Sequence, residues 1–173
     1  EVKPVSQQTV KVYLGLGANL GDPAQQLVDA RSALRKWHGC AALRCSSFYL
    51  TSPVGYTAQP DFLNCVVEIQ TRVALHEVFA YTQMLEQQMG RRRVVDNQNA
   101  PRSIDIDVLL YGDHAHNTAE LTVPHPRMRE RLFVLLPLAE LMADDRHALI
   151  GSPTKLVSES SRFEGQSVSR LRV

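Results

Sequence analysis

The chain has 173 residues, 44% of them hydrophobic and 21% charged, the composition of an ordinary folded protein and not of a disordered or fibrous one. Nineteen Lys and Arg against eighteen Asp and Glu leave a net charge of +1. No global field therefore draws the chain to nucleic acid or to an anionic membrane, and any charge that binds phosphate must be local. The three cysteines, Cys40, Cys45 and Cys65, lack the paired spacing of a disulfide framework or a zinc site. No apolar run approaches the ~20 residues of a membrane span, and Glu1 to Thr9 has no signal-peptide core. These features predict a cytoplasmic protein with no nucleic-acid or membrane partner, a single domain over 1–173 with its core over 10–142 and a polar extension over 151–173; a monomer is the accompanying expectation.

Val10, Val12, Leu14 and Leu16 alternate with Lys11, Tyr13, Gly15 and Gly17, the period of a half-buried strand, which the Gly-rich stretch 15–21 is expected to end. Asp22 before Pro23, with Gln25 three residues on, predicts an N-cap with a capping-box partner. Leu27, Ala30, Leu34 and Trp37 follow at helical spacing up to Gly39. Leu43 to Leu50 reads as a second strand, Thr51 to Pro60 as a loop, Phe62 to Val73 as a third strand, and Leu75 to Met89 as a second helix closed by Gly90. After the polar stretch 91–102, Ile104 to Leu110 reads as a fourth strand, and Leu121 to Val123 as a short extra one. Arg129 to Met142 reads as a helix kinked or broken at Pro137, and the segment from Gly151 as a loosely attached tail with one short helix. The order strand, helix, strand, strand, helix, strand is that of the ferredoxin-like α+β class, a split βαβ with an antiparallel sheet flanked by helices.

In Arg102-Ser103-Ile104-Asp105-Ile106-Asp107-Val108, strand geometry sends the apolar residues to one face and both aspartates to the other. Asp is a poor strand residue, and two carboxylates on one face repel each other unless a cation lies between them. Oxygen-only ligands favour Mg²⁺, which takes one or two carboxylates plus substrate phosphates. The plainer account is a solvent-facing strand. Arg91, Arg92, Arg93, Arg102, Arg127, Arg129 and Arg131 surround this strand in sequence, either as solvated surface charge or as forks for phosphate oxygens. Gly15-Leu16-Gly17-Ala18-Asn19-Leu20-Gly21-Asp22 lacks the ending of a P-loop and the spacing of a dinucleotide fingerprint, so it reads as a tight turn into a capped helix. Phe62 and Asn64 share one strand face. An aromatic ring and an amide so placed suit a flat heteroaromatic, and suit equally a core Phe with a turn Asn.

Together with Ser47-Phe48-Tyr49-Leu50-Thr51, Gln59-Pro60-Asp61-Phe62-Leu63-Asn64, Leu109-Leu110-Tyr111-Gly112 and Leu121-Thr122-Val123-Pro124-His125-Pro126, these segments resemble the 6-hydroxymethyl-7,8-dihydropterin pyrophosphokinases of folate biosynthesis, over about Val12 to Leu141. The resemblance implies transfer of diphosphate from ATP to a reduced pterin, with two Mg²⁺ ions held by Asp105 and Asp107. By position it implies pterin contacts from Thr51, Val54, Phe62, Asn64 and Phe133, and ATP contacts from Gln83, Glu86, Arg102, Thr122, His125 and Arg131. Arg91, Arg93 and Arg102 are then the arginines expected to act on the transferred group. Asn99 stands where the family usually carries an aromatic, and Glu120 and Pro126 also depart from its pattern. Other enzymes with carboxylates on such a sheet, the nucleotidyltransferase palms, release diphosphate where this family releases AMP. An RNA-binding module on the same fold would want a basic sheet with exposed aromatics, and a slow, degenerate family member would fit Asn99.

Overall fold

The computed structural model describes residues 8–53, 58–91, 104–159 and 163–172. Its first strand, β1 (Val10–Ala18), runs two residues past the expected glycine stop. Leu16 and Ala18 continue the buried apolar row, so burial of one face carries the strand through Gly15 and Gly17. A turn at Gly21 (φ 63°) leads into α1 (Pro23–Lys36). Asp22 caps α1 by accepting from the Gln25 N–H at 3.1 Å, but the capping box is not closed: the Gln25 amide donates to Asp29 one turn on.

The expected second strand is two strands, β2 (Ala42–Cys45) and β3 (Tyr49–Thr51), both antiparallel to β4 (Phe62–Thr71). Ser46 separates them by bonding Val66 twice: its N–H donates to the Val66 carbonyl, and its hydroxyl accepts from the Val66 N–H at 2.9 Å. A side chain thus takes a donor that a ladder carbonyl would otherwise hold. Helix α2 (Leu75–Arg91) and β5 (Asp105–Tyr111) follow in the expected places, but Gly90 does not close α2, which runs through it to Arg91. The sheet order is β5-β1-β4-β3, with β2 also on β4. β4 lies between β1 and the β2–β3 segment, which is the split βαβ arrangement.

One sheet face is covered by α1 and α2. Val12, Leu14, Leu16, Leu63, Cys65, Val67, Ile69, Ile104, Ile106 and Val108 meet Leu27, Ala30, Leu34, Val78 and Leu85 there. Trp37 stacks on Tyr81 with ring centroids 4.4 Å apart, tying α1 to α2. A Cβ on Gly39 would stand 2.5 Å from the Trp37 ring, so that glycine makes room for the indole.

The other face is covered only at one end. A short pairing of β6 (His116–Asn117) with β7 (Thr122–Val123) and a 3₁₀ turn (Met128–Glu130) lead to α3 (Leu132–Leu141). The expected helix from Arg129 is therefore interrupted at Arg131, whose backbone is extended (φ −116°, ψ 103°). Pro137 does not break α3; the helix runs through it. A proline costs about 3 kcal/mol inside a helix. Burying Val134, Leu135, Leu138 and Leu141, at ~1.5–3 kcal/mol each, outweighs that cost. Tyr13, Val66, Leu109 and Leu110 are their partners. Leu109 and Leu110 both reach this layer because β5 bulges where its register with β1 shifts between Tyr13 and Leu14.

The tail is not loosely attached. Helix α4 (Pro153–Ser158) packs on α3, Phe163 is buried, and β8 (Val168–Arg170) adds a strand to the sheet beside β3. The missed strand is three residues long, too short to show a period.

Candidate active site

The uncovered part of the second face is a cavity of about 920 Å³. Strand register explains why it is there. One row across the sheet reads Asp105, Gly17, Asn64, Tyr49, and the next reads Asp107, Gly15, Val66. Directly paired residues share a face. Gly15 and Gly17 therefore leave a floor without side chains between the aspartates on β5 and the amide on β4. The turn reading of these glycines missed this; the alternation of Tyr13, Gly15 and Gly17 along one face was the signal available for it.

Asn64 is buried (7% exposed) and donates through Nδ2 to the Thr51 hydroxyl at 2.8 Å. A Cβ on Gly17 would lie 2.6 Å from Asn64 Oδ1, so the amide sits directly over that glycine. The Asn19 amide donates to Gln59 Oε1 (3.0 Å) and to the Pro60 carbonyl (3.2 Å), joining the end of β1 to the approach of β4. Phe62, Phe133, Thr51 and Ser52 line the same cavity.

At the other wall, Asp105 is exposed and Asp107 half-buried, with the apolar residues between them turned into the core, as strand alternation predicts. Arg131 Nη1 lies 3.8 Å from Asp107 Oδ2, and its guanidinium stands 5.6 Å from the centroid of the Phe133 ring. Arg127 and Glu130 complete this rim. His125 lies beside this rim. Burial pushes its imidazole below the ordinary value, Asp107 opposes that, and Arg131 and Arg127 reinforce it. Its Nδ1 accepts from the Arg127 N–H at 3.1 Å, which leaves the proton of the neutral ring on Nε2.

The cavity thus brings together Thr51, Phe62, Asn64, Asp105, Asp107, Arg131 and Phe133. Gln83, Glu86 and Thr122 are not among its lining residues. Gln83 is exposed on α2. Glu86 accepts from the Ile106 N–H at 2.6 Å, on the outer edge of β5, and the Thr122 hydroxyl donates to Asn117 at 3.1 Å. Val54, Arg93, Arg102 and Asn99 lie outside the described residues, as does the side chain of Arg91. Among the described residues, no three His, Cys, Asp or Glu side chains group to cage a metal. A pair of carboxylates alone suits Mg²⁺, which draws its remaining ligands from phosphate and water.

An α+β sheet with paired carboxylates and an arginine along one bare, glycine-floored face suits phosphoryl transfer, with carboxylates for a hard cation and a guanidinium for phosphate oxygens. Residues 13–143 match the family described as 7,8-dihydro-6-hydroxymethylpterin-pyrophosphokinase, and the chain belongs to that family. A 2-amino-4-hydroxy-6-hydroxymethyldihydropteridine pyrophosphokinase of Bacillus subtilis is 44% identical over 129 residues, 75% of this chain and 76% of that one. The Haemophilus influenzae protein of the same name is 35% identical over 135 residues, 78% and 83% of the two chains. Folic acid synthesis protein fol1 of Schizosaccharomyces pombe is 40% identical over 141 residues, which span 82% of this chain but 19% of that one. Among solved structures, an HPPK-DHPS in complex with substrates superposes with a TM-score of 0.68 at 12% identity, covering 89% of this chain and 44% of that chain. The wild-type Plasmodium falciparum HPPK-DHPS with pteroate gives 0.68 at 14%, covering 90% and 43%. The chain spans less than half the length of these two solved chains, whose likeness carries the fold.

Proposed function

We propose a division of roles within the cavity for the reaction the chain carries out, transfer of diphosphate from ATP to the hydroxymethyl group of 6-hydroxymethyl-7,8-dihydropterin with release of AMP, in folate synthesis. The observation that carries it is the row Asp105-Gly17-Asn64 across three strands: a bare floor with a carboxylate at one end and a buried amide at the other. A flat pterin fits that floor. Asn64 would pair with its edge through Oδ1, Nδ2 being held by Thr51. Phe62 and Phe133, with Val54, would supply the apolar and aromatic contacts.

The hydroxymethyl group then points toward the aspartates. Its oxygen attacks the β-phosphorus of ATP in line, the bond from that phosphorus to the oxygen of the α-phosphate breaks, AMP leaves with that oxygen, and the hydroxyl proton passes to solvent. Such a transfer asks the protein for positioning and charge stabilisation more than for covalent chemistry. Asp105 and Asp107 would hold two Mg²⁺ ions, which when bound neutralise the phosphate oxygens. Arg131, 3.8 Å from Asp107, would turn its guanidinium to the same oxygens, and Arg91, Arg93 and Arg102 are assigned to the transferred group from their place in sequence. Gln83, Glu86, Thr122 and His125 are assigned to ATP by the same family positions. A single domain acting as a cytoplasmic monomer, without nucleic acid or membrane, completes the proposal; the charge of +1 supports only the part that leaves out nucleic acid and an anionic membrane.

Incubating the protein with ATP, Mg²⁺ and the reduced hydroxymethylpterin tests the reaction. AMP and the pterin diphosphate are expected in equal amounts. Formation of ADP, release of free diphosphate, or nucleotide loss that does not need pterin would overturn it.

A further inference from the structure

The chain beyond residue 143, where the family match ends, comes back to the cavity. Phe163 is buried and anchors a turn closed by the Gln166 N–H to the Phe163 carbonyl at 3.0 Å. Gly165 supplies the left-handed residue of that turn, at φ 79°. The Ser52 N–H donates to the Ser167 carbonyl, and β8 then pairs with β3, Val168 standing opposite Thr51. Gln166 is thereby placed in the cavity wall.

Its side-chain amide makes two hydrogen bonds. Oε1 accepts from the Leu132 N–H at 3.0 Å, and Nε2 donates to the Glu130 carbonyl at 2.7 Å. Those two groups flank Arg131 on the main chain. One rigid, planar amide therefore clips the backbone on both sides of the residue whose guanidinium faces Asp107. This is also where the 3₁₀ turn gives way to α3 and the chain is extended, so neither helix supplies those bonds.

We infer that Gln166 is a positioning residue for diphosphate transfer: it holds Arg131 against the Asp107 wall, and the turn 163–167 is a working part of the site. The inference rests on the proposed role of Arg131. Displacing a catalytic contact by ~1 Å costs up to about 10²-fold in rate, and the loss of two hydrogen bonds at the root of Arg131 permits such a shift.

The test is a kinetic cycle on the full chain. Gln166→Ala is expected to lower kcat/KM, with the larger part in kcat, by roughly tenfold or more, with little change in Tm. In an Arg131→Ala background the same substitution is expected to change kcat/KM by less than about twofold, because groups acting through one another are not additive. Arg170→Ala, four residues on in β8 and bonded to Glu140 and not to the site, is expected to stay within about twofold of the starting protein. Should Gln166→Ala not fold, Gln166→Met, which fills similar volume without donor or acceptor, carries the same expectation. Unchanged kinetics in the Gln166 variant, or its full loss repeated on top of Arg131→Ala, would overturn the inference alone. An Arg131→Ala variant with unimpaired turnover would overturn the assignment of Arg131 and the inference together.

Discussion

Gly17 and Asn64 face each other across β1 and β4 so closely that a single methyl group on the glycine would stand 2.6 Å from the amide oxygen. Asn64 has little freedom to yield, because it is buried and its other end is bonded to Thr51. Gly17→Ala must then turn the amide out of its plane or push β1 from β4, an overpacking worth about 1–3 kcal/mol. Pterin binding should weaken by at least roughly tenfold, about 1.4 kcal/mol, as read by calorimetric titration. Gly15→Ala is the contrast: its Cβ would meet Leu109 at 3.5 Å, an ordinary contact, so the fold should accept it. Pterin affinity unchanged in Gly17→Ala would remove Asn64 from the binding site.

Thr51 orients the same amide from the other side. Thr51→Val keeps the shape and deletes the acceptor, leaving a buried N–H₂ without its partner at a cost of about 1–3 kcal/mol. Both chemical denaturation and pterin affinity should register the loss, and Thr51→Ser, which keeps the hydroxyl, should restore most of it. If the serine variant binds no better than the valine variant, the hydroxyl is not what aims Asn64.

The part of this site legible in the sequence was the part written in alternation. Asp105 and Asp107 stand out because carboxylates are unusual on a strand, and period 2 was enough to put them on one face, opposite Ile104, Ile106 and Val108. Gly15 and Gly17 obey the same alternation, but a glycine in a row carries no sign of what faces it. Reading them as a floor needs the register with Asn64 and Asp105, which is a long-range fact. Ser46 breaks a strand through one side-chain bond to Val66, again across the sheet. Gln166 is the extreme case. Nothing in a three-residue strand preceded by a Gly turn announces that it lies beside Arg131, 35 residues earlier.

The aspartates should separate metal from pterin. Asp107→Ala removes the carboxylate nearer Arg131 and leaves the Asn64–Thr51 end untouched. Turnover should fall by several orders of magnitude, as for loss of a principal electrostatic group at a transferring phosphoryl, while pterin alone binds within about threefold of the starting affinity, since no pterin contact is lost. Asp105→Ala should behave likewise, and chelation of Mg²⁺ should reproduce both in the unaltered protein. Substantial AMP production by either variant at the same metal concentration would place the metal elsewhere.

Glu140 gives the fold a pH limb distinct from the chemistry. From α3 it accepts the Tyr49 hydroxyl (2.7 Å), the Ser47 hydroxyl (2.7 Å) and the Ser47 N–H (2.9 Å), with Arg170 at 3.4 Å, so it ties α3 to β3 and the gap before it. Burial alone would raise its carboxyl, but the bonds from Tyr49 and Ser47 and the charge of Arg170 together hold it below the ordinary value. The partner agrees: burial, and then Glu140, push the Tyr49 phenol up to about 12. A depressed carboxyl contributes stability that is complete above its unfolded value and is lost as pH falls through the folded one. Urea unfolding should therefore show Glu140→Gln less stable than the starting protein at pH 7 by about 1–2 kcal/mol, the difference a charged acceptor makes to such bonds. As the pH drops below the ordinary carboxylate range, the starting protein loses that advantage and the two curves should converge. A gap of equal size at pH 7 and in acid would mean that Glu140 holds α3 by shape and not by charge.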